Sequence, residues 1–120
     1  WFNPPMPLLK LETNVALAED QQSRLLSSLS KAVADALGKP EQYVMVTLAR
    51  TALWMAGRGD GAAFGDLRSI GGLSPEVNRK LAKEESKLLS DVLGIPADRV
   101  YLNFSNVEAR NWGWNGSTFG

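Results

Sequence analysis

The sequence predicts an α/β (α+β) fold built from two β-α-β units, with a four-stranded mixed sheet and two helices on one face. Two observations carry this reading. First, LGKPEQYVMVTL at residues 37–48 recurs as LGIPADRVYLNF at residues 93–104, so that Leu37, Gly38, Pro40 and Val44 align without a gap on Leu93, Gly94, Pro96 and Val100. Second, each copy follows an amphipathic stretch preceded by a strand-like run. A strand, helix and parallel strand in one sheet connect by a right-handed crossover, which sends both helices to the same side.

The elements follow in order. Leu8 to Thr13 alternates apolar and polar residues and reads as the first strand. Leu25, Leu29, Val33 and Ala36 fall on one helical stripe, and Leu81, Leu88, Leu89 and Val92 on another. Ser74-Pro75-Glu76 has the form of an N-cap, a proline at the first helical position and an early acidic residue. Gly38 and Gly94 fit left-handed C-caps, with a proline two residues on to prevent resumption. The second unit is expected to open with a strand over Leu67 to Ile70, after a glycine-rich turn region at Gly57 to Gly65, GRGDGAAFG.

In the repeated strands, Val44, Val46, Leu48, Val100, Leu102 and Phe104 should meet the helices. Tyr43, Met45, Thr47, Arg99, Tyr101 and Asn103 should face the other way. No remaining element can cover that face, so a second subunit is the expected cover, with Tyr101 and Asn103 at an interface. The aromatic tail, NWGWNGSTFG, either pins the terminus to the core or walls a pocket.

Composition limits the chemistry. The 120 residues hold 13 basic and 13 acidic side chains, with no basic cluster to attract nucleic acid or an anionic membrane. No run is long and apolar enough to span a bilayer, and no signal peptide is visible, so the expected compartment is the cytoplasm, any export proceeding without a signal peptide. There is neither Cys nor His. Thiolate catalysis, thiol metal sites and the usual acid/base near neutral pH are excluded. A catalytic base would be a carboxylate, lysine, tyrosine or chain-terminal amine, and nothing implies a metal or cofactor.

PLLKLETNV, LGKPEQYV, LRSIGG, the pair Asn78-Arg79, DRVYLNF and NWGWNGSTF, in this order and spacing, resemble the tautomerase superfamily and, within it, the macrophage migration inhibitory factor family. The resemblance runs from Pro7 to Gly120. It implies a homotrimer with a pocket at each subunit interface, and keto–enol tautomerisation of phenylpyruvate-type 2-keto acids and dopachrome analogues. It also implies that the base is the secondary amine of an N-terminal proline, here Pro7. Residues 1–6 are then an N-terminal extension, WFNPP ahead of an initiator Met6, and residues 7–120 the tautomerase-like domain. While anything precedes Pro7 its nitrogen is an amide without a basic lone pair, so this form should be impaired.

By the same resemblance, Lys39 would hold the substrate carboxylate; read from the residues alone it would be a solvated lysine after a helix cap. Ile70 would offer its backbone N–H, flanked by Ser69 and Arg68, the arginine being a surface charge when read from the residues alone. Tyr101 and Asn103 would come from the neighbouring subunit, and Tyr43, Trp114 and Phe119 would wall an aromatic slot. Three departures stand out. The family's Cys-x-x-Cys segment is replaced within GDGAAFGD, which removes thiol redox activity. Trp112 replaces a small aliphatic residue, and Leu8 a methionine, both at the pocket. The family also includes secreted cytokine-like proteins that engage protein receptors, so receptor binding with vestigial catalysis is the competing expectation.

Overall fold

The computed structural model describes residues 6–120, so the N-terminal extension expected at WFNPP lies outside the described residues. Strand β1 (Leu8–Thr13) leads to helix α1 (Glu19–Leu37) and strand β2 (Met45–Arg50); β3 (Ala63–Ser69), α2 (Pro75–Leu93) and β4 (Val100–Asn106) repeat that order. A small hairpin, β5 (Gly113–Trp114) and β6 (Ser117–Thr118), follows. The main sheet has the order β2-β1-β3-β4. β1 runs parallel to β2 and β3 parallel to β4, while β1 and β3 pair antiparallel. The duplicated units therefore join edge to edge through their first strands, and the mixed four-stranded sheet is as the sequence implies.

The helix signals act as expected. Ser74 Oγ accepts from the Val77 N–H at 3.1 Å, and Gly38 and Gly94 take left-handed φ values of 63° and 69°. α1 starts at Glu19, where the Gln21 side-chain oxygen accepts from the Ala18 N–H at 2.9 Å. That bond meets one of the donors a helix start leaves over. Both helices pack on one side of the sheet. Leu9, Leu11 and Leu67 from the strands are fully buried against Leu25, Leu29 and Val33 of α1 and Leu81 and Leu89 of α2. Val44, Val46, Leu48, Val100 and Phe104 pack at the margin of this core.

Three expectations need correction. The third strand starts at Ala63, inside the segment read as a turn, and stops at Ser69, so Ile70 lies beyond it. Its burial alternates, and Gly65 is there for clearance: a Cβ on it would lie 2.7 Å from Leu102 Cδ2. A glycine can mark close packing inside a strand as well as a turn. Tyr43 and Arg99 do not sit on the open strand face, because each lies in a 3-10 turn, Glu41–Tyr43 and Ala97–Arg99, that precedes its strand. Arg99 is only 3% exposed, and its guanidinium donates to the carbonyls of Met55 (2.7 Å), Asp60 (2.8 Å), Arg58 (3.3 Å) and Gly61 (3.3 Å). Those four carbonyls replace the water a buried cation loses, and they shape the loop between β2 and β3. Arg99→Met should therefore lower stability by about 2 kcal/mol or more, measured by urea unfolding.

Glu85 on α2 is the unusual core residue. It is 1% exposed, and neither carboxylate oxygen has a hydrogen-bond partner among the described residues. Its Oε1 lies 3.5 Å from where a Gly65 Cβ would sit, beneath the sheet. Burial, with a smaller contribution from Glu84, pushes its carboxyl from 4.5 up to about 8. The native chain thus keeps a proton that the unfolded chain releases, and stability should fall as pH rises from about 4.5 through about 8. The loss between pH 5 and pH 8 should be on the order of 3 kcal/mol in the wild type and largely absent in Glu85→Leu, as read by urea unfolding at both pH values.

Candidate active site

Pro7 stands immediately before β1 and is buried. A proline at the first position of a strand interrupts no ladder bond, since it has no N–H to give. Its carbonyl accepts from the Met45 N–H at 3.0 Å, which ties the residue to β2. The β1–β3 register pairs Leu8 with Arg68, so one further step sets Pro7 level with Ser69. Ser69 is buried, and its Oγ donates to the Gly71 carbonyl at 2.6 Å.

Lys39 follows the left-handed Gly38, and the turn directs it inward. The residue is 6% exposed, and its Nζ donates to the Ile70 carbonyl at 3.2 Å. Gly71 and Gly72, with φ values of 74° and 83°, turn the chain after β3; a Cβ on Gly72 would lie 3.4 Å from Lys39 Cε. Lys39 is thus not the solvated lysine its place after a helix cap suggests. Burial lowers its pKa, yet the bond to Ile70 keeps the ammonium beside the end of β3. The glycine pair was visible in LRSIGG, although its packing on Lys39 was not.

Two aromatic residues of the tail meet each other, and one of them meets Tyr43. Tyr43 and Trp114 meet edge to face with centroids 6.2 Å apart, and Trp114 stacks on Phe119 at 5.8 Å and an interplanar angle of 6°. The β5–β6 hairpin carries the two tail rings, turning through Asn115 and Gly116 at positive φ values of 52° and 77°. Asn-Gly is a strong hairpin signal, and WNGS carries it. Trp112 is half-buried; with Leu8, Arg68, Val107, Asn111 and Gly113 it lines an open cleft of about 300 Å³.

Tyr101 and Asn103 are elsewhere. Both are exposed on the open sheet face, Tyr101 at 67%. The pairings place Tyr101 level with Glu12 and Asn103 level with Lys10, each two strands from β1. At about 3.3 Å per residue and about 4.8 Å per strand, Tyr101 lies roughly 19 Å and Asn103 roughly 14 Å from Pro7. Neither can join Pro7 within one chain. Tyr101 instead borders a hollow of about 280 Å³ with Trp54 and Phe64. One chain therefore holds a buried proline at the head of β1, an inward lysine and a cluster of three aromatic rings.

Among the described residues no helix is long and apolar enough to cross a membrane. The family model described as macrophage migration inhibitory factor (MIF) matches residues 6–120. A macrophage migration inhibitory factor homologue of Trichinella spiralis is 42% identical over 95% of this chain and 100% of its own length. The macrophage migration inhibitory factor of Rattus norvegicus is 42% identical over 95% of this chain and 99% of its own. The crystal structure of the homologue from Prochlorococcus marinus superposes with a TM-score of 0.89 at 38% identity, covering 94% of this chain and 99% of that one. The chain belongs to the macrophage migration inhibitory factor family.

Proposed function

We propose that this protein is a keto–enol tautomerase for phenylpyruvate-type 2-keto acids and dopachrome analogues, with the Pro7 amine as general base. The observation that supports this most is the seat of Pro7: buried at the head of β1, in a chain with no His or Cys to supply another base near neutral pH. The family match begins one residue before it, at Met6. In a chain that starts at Pro7 the nitrogen is a secondary amine. Burial disfavours its charged form. The neutral amine takes the proton alpha to the keto group and returns it to the other end of the enol. Lys39 holds the substrate carboxylate and steadies negative charge on the enolate oxygen. The Ile70 N–H and Ser69 fix the polar end, while Tyr43, Trp114 and Phe119 clasp the ring, with Leu8 and Trp112 at the mouth.

Tyr101 and Asn103 enter this reading from a neighbouring subunit of a homotrimer. Their distance from Pro7 in one chain and the exposure of Met45, Phe64 and Tyr101 on the uncovered sheet face support that arrangement. Met6 in place makes the Pro7 nitrogen an amide, whose lone pair is shared with a carbonyl.

Two preparations test the reading, the 120-residue chain and a chain starting at Pro7, each verified by intact mass and assayed for phenylpyruvate tautomerisation. Activity should be confined to the Pro7-initiated form. Equal activity in both would exclude the Pro7 amine as base, and silence in both would favour a receptor-binding role with vestigial catalysis. In the active form, Lys39→Ala should lower kcat/KM for phenylpyruvate by roughly 10- to 100-fold, the loss of a buried charge-assisted contact. An unchanged kcat/KM would remove Lys39 from the site.

A further inference from the structure

The cleft beside Leu8 holds a cation that the proposed reaction does not use. Arg68 pairs with Leu8 across β1 and β3, so the two side chains stand together on the same sheet face. With Val107, Asn111, Trp112 and Gly113 they enclose about 300 Å³. In sequence the residues of the cleft neighbour those of the candidate site, for Leu8 follows Pro7, Arg68 precedes Ser69, and Trp112 and Gly113 lead into Trp114.

The guanidinium is held in one orientation. Its Nε and Nη2 donate to the same oxygen of Asp66, at 3.3 and 3.1 Å. The other Asp66 oxygen accepts from Asn103 Nδ2 at 3.4 Å, and that amide also donates to Ser105 Oγ at 3.0 Å. An arginine held along its Nε edge keeps the fork formed by Nη1 and the second Nη2 hydrogen for another acceptor. Its side chain is 52% exposed in a single chain, at the mouth where the proposed reading already places Leu8 and Trp112. Beside it Trp112 offers a flat apolar wall and Asn111 an amide. A carboxylate carried by an aromatic ring matches this combination, since the fork takes both oxygens while the indole and the amide border them.

We propose that this cleft is a second anionic subsite, in which Arg68 binds a carboxylate carried on the aromatic part of a 2-keto acid while Lys39 binds the carboxylate next to the keto group. The preferred substrate class is then a dianionic aryl keto acid. Turnover of such a compound rests on the tautomerase reading above; its binding does not. Asp66 offsets part of the Arg68 charge and water screens the rest, so the expected effect is about tenfold rather than a thousandfold.

The test compares phenylpyruvate with para-carboxyphenylpyruvate in the Pro7-initiated chain, as wild type, Arg68→Gln and Arg68→Lys, each checked for native circular dichroism. The ratio of kcat/KM for the dicarboxylate to that for phenylpyruvate should fall about tenfold in Arg68→Gln, mainly through KM, with Arg68→Lys in between. A ratio unchanged in both variants would overturn the subsite. Tryptophan-fluorescence titration with the same two compounds is run alongside. If neither compound is turned over, the reaction reading has failed and the titration decides alone. A tenfold fall in relative affinity for the dicarboxylate then sustains the subsite, and equal relative affinities overturn it.

Discussion

β1 is the strand on which everything else is registered. It pairs with β2 on one side and β3 on the other, and its Leu9 and Leu11 are completely buried beneath the helices. A one-residue slip would turn both leucines to the open face and bring Leu8 and Lys10 into the core. The register is therefore strongly specified, and it sets the place of the residue just ahead of the strand. Pro7 comes level with Ser69, with its carbonyl bonded to Met45. The geometry of the candidate base is a by-product of core packing.

The same sheet divides the protein into a finished side and an unfinished one. On the helix side the core closes on itself, Glu85 being the one carboxylate found deep within it. The other side presents Met45, Phe64 and Tyr101 to solvent, with polar Thr47, Lys10, Asp66 and Asn103 in a row between them. A face of this mixed kind suits contact with further copies of the chain, and it is where the two residues missing from the single-chain site are found. In the proposed reading a shared site would tie activity to assembly, because an isolated subunit would hold the base without all of the walls.

Much of this was legible in the residues. The Leu-Gly-x-Pro echo fixed the duplication, and the capping signals at Ser74, Gly38 and Gly94 behaved as their chemistry requires. Family resemblance pointed to residues that the fold then grouped as Lys39 with Ile70 and Tyr43 with Trp114 and Phe119. What could not be read depended on long-range packing. Gly65 looks like a turn residue until Leu102 is seen against it, and Arg99 like a strand residue until the loop carbonyls close around it. Lys39 is solvated by local rules and buried by tertiary ones, through a glycine pair more than thirty residues away. The hairpin, by contrast, follows a local signal, the positive-φ pair Asn115-Gly116.

The central claim is that an otherwise ordinary proline becomes a base because of where β1 places it. Its most direct test is the titration of the Pro7 nitrogen by nitrogen NMR in a chain that starts at Pro7 and carries labelled proline. The account predicts a pKa clearly below about 8, the usual α-amine range, with the neutral amine predominating at neutral pH. An amine that titrates at or above the ordinary value would contradict it, for the nitrogen would then be charged and unable to accept the substrate's proton.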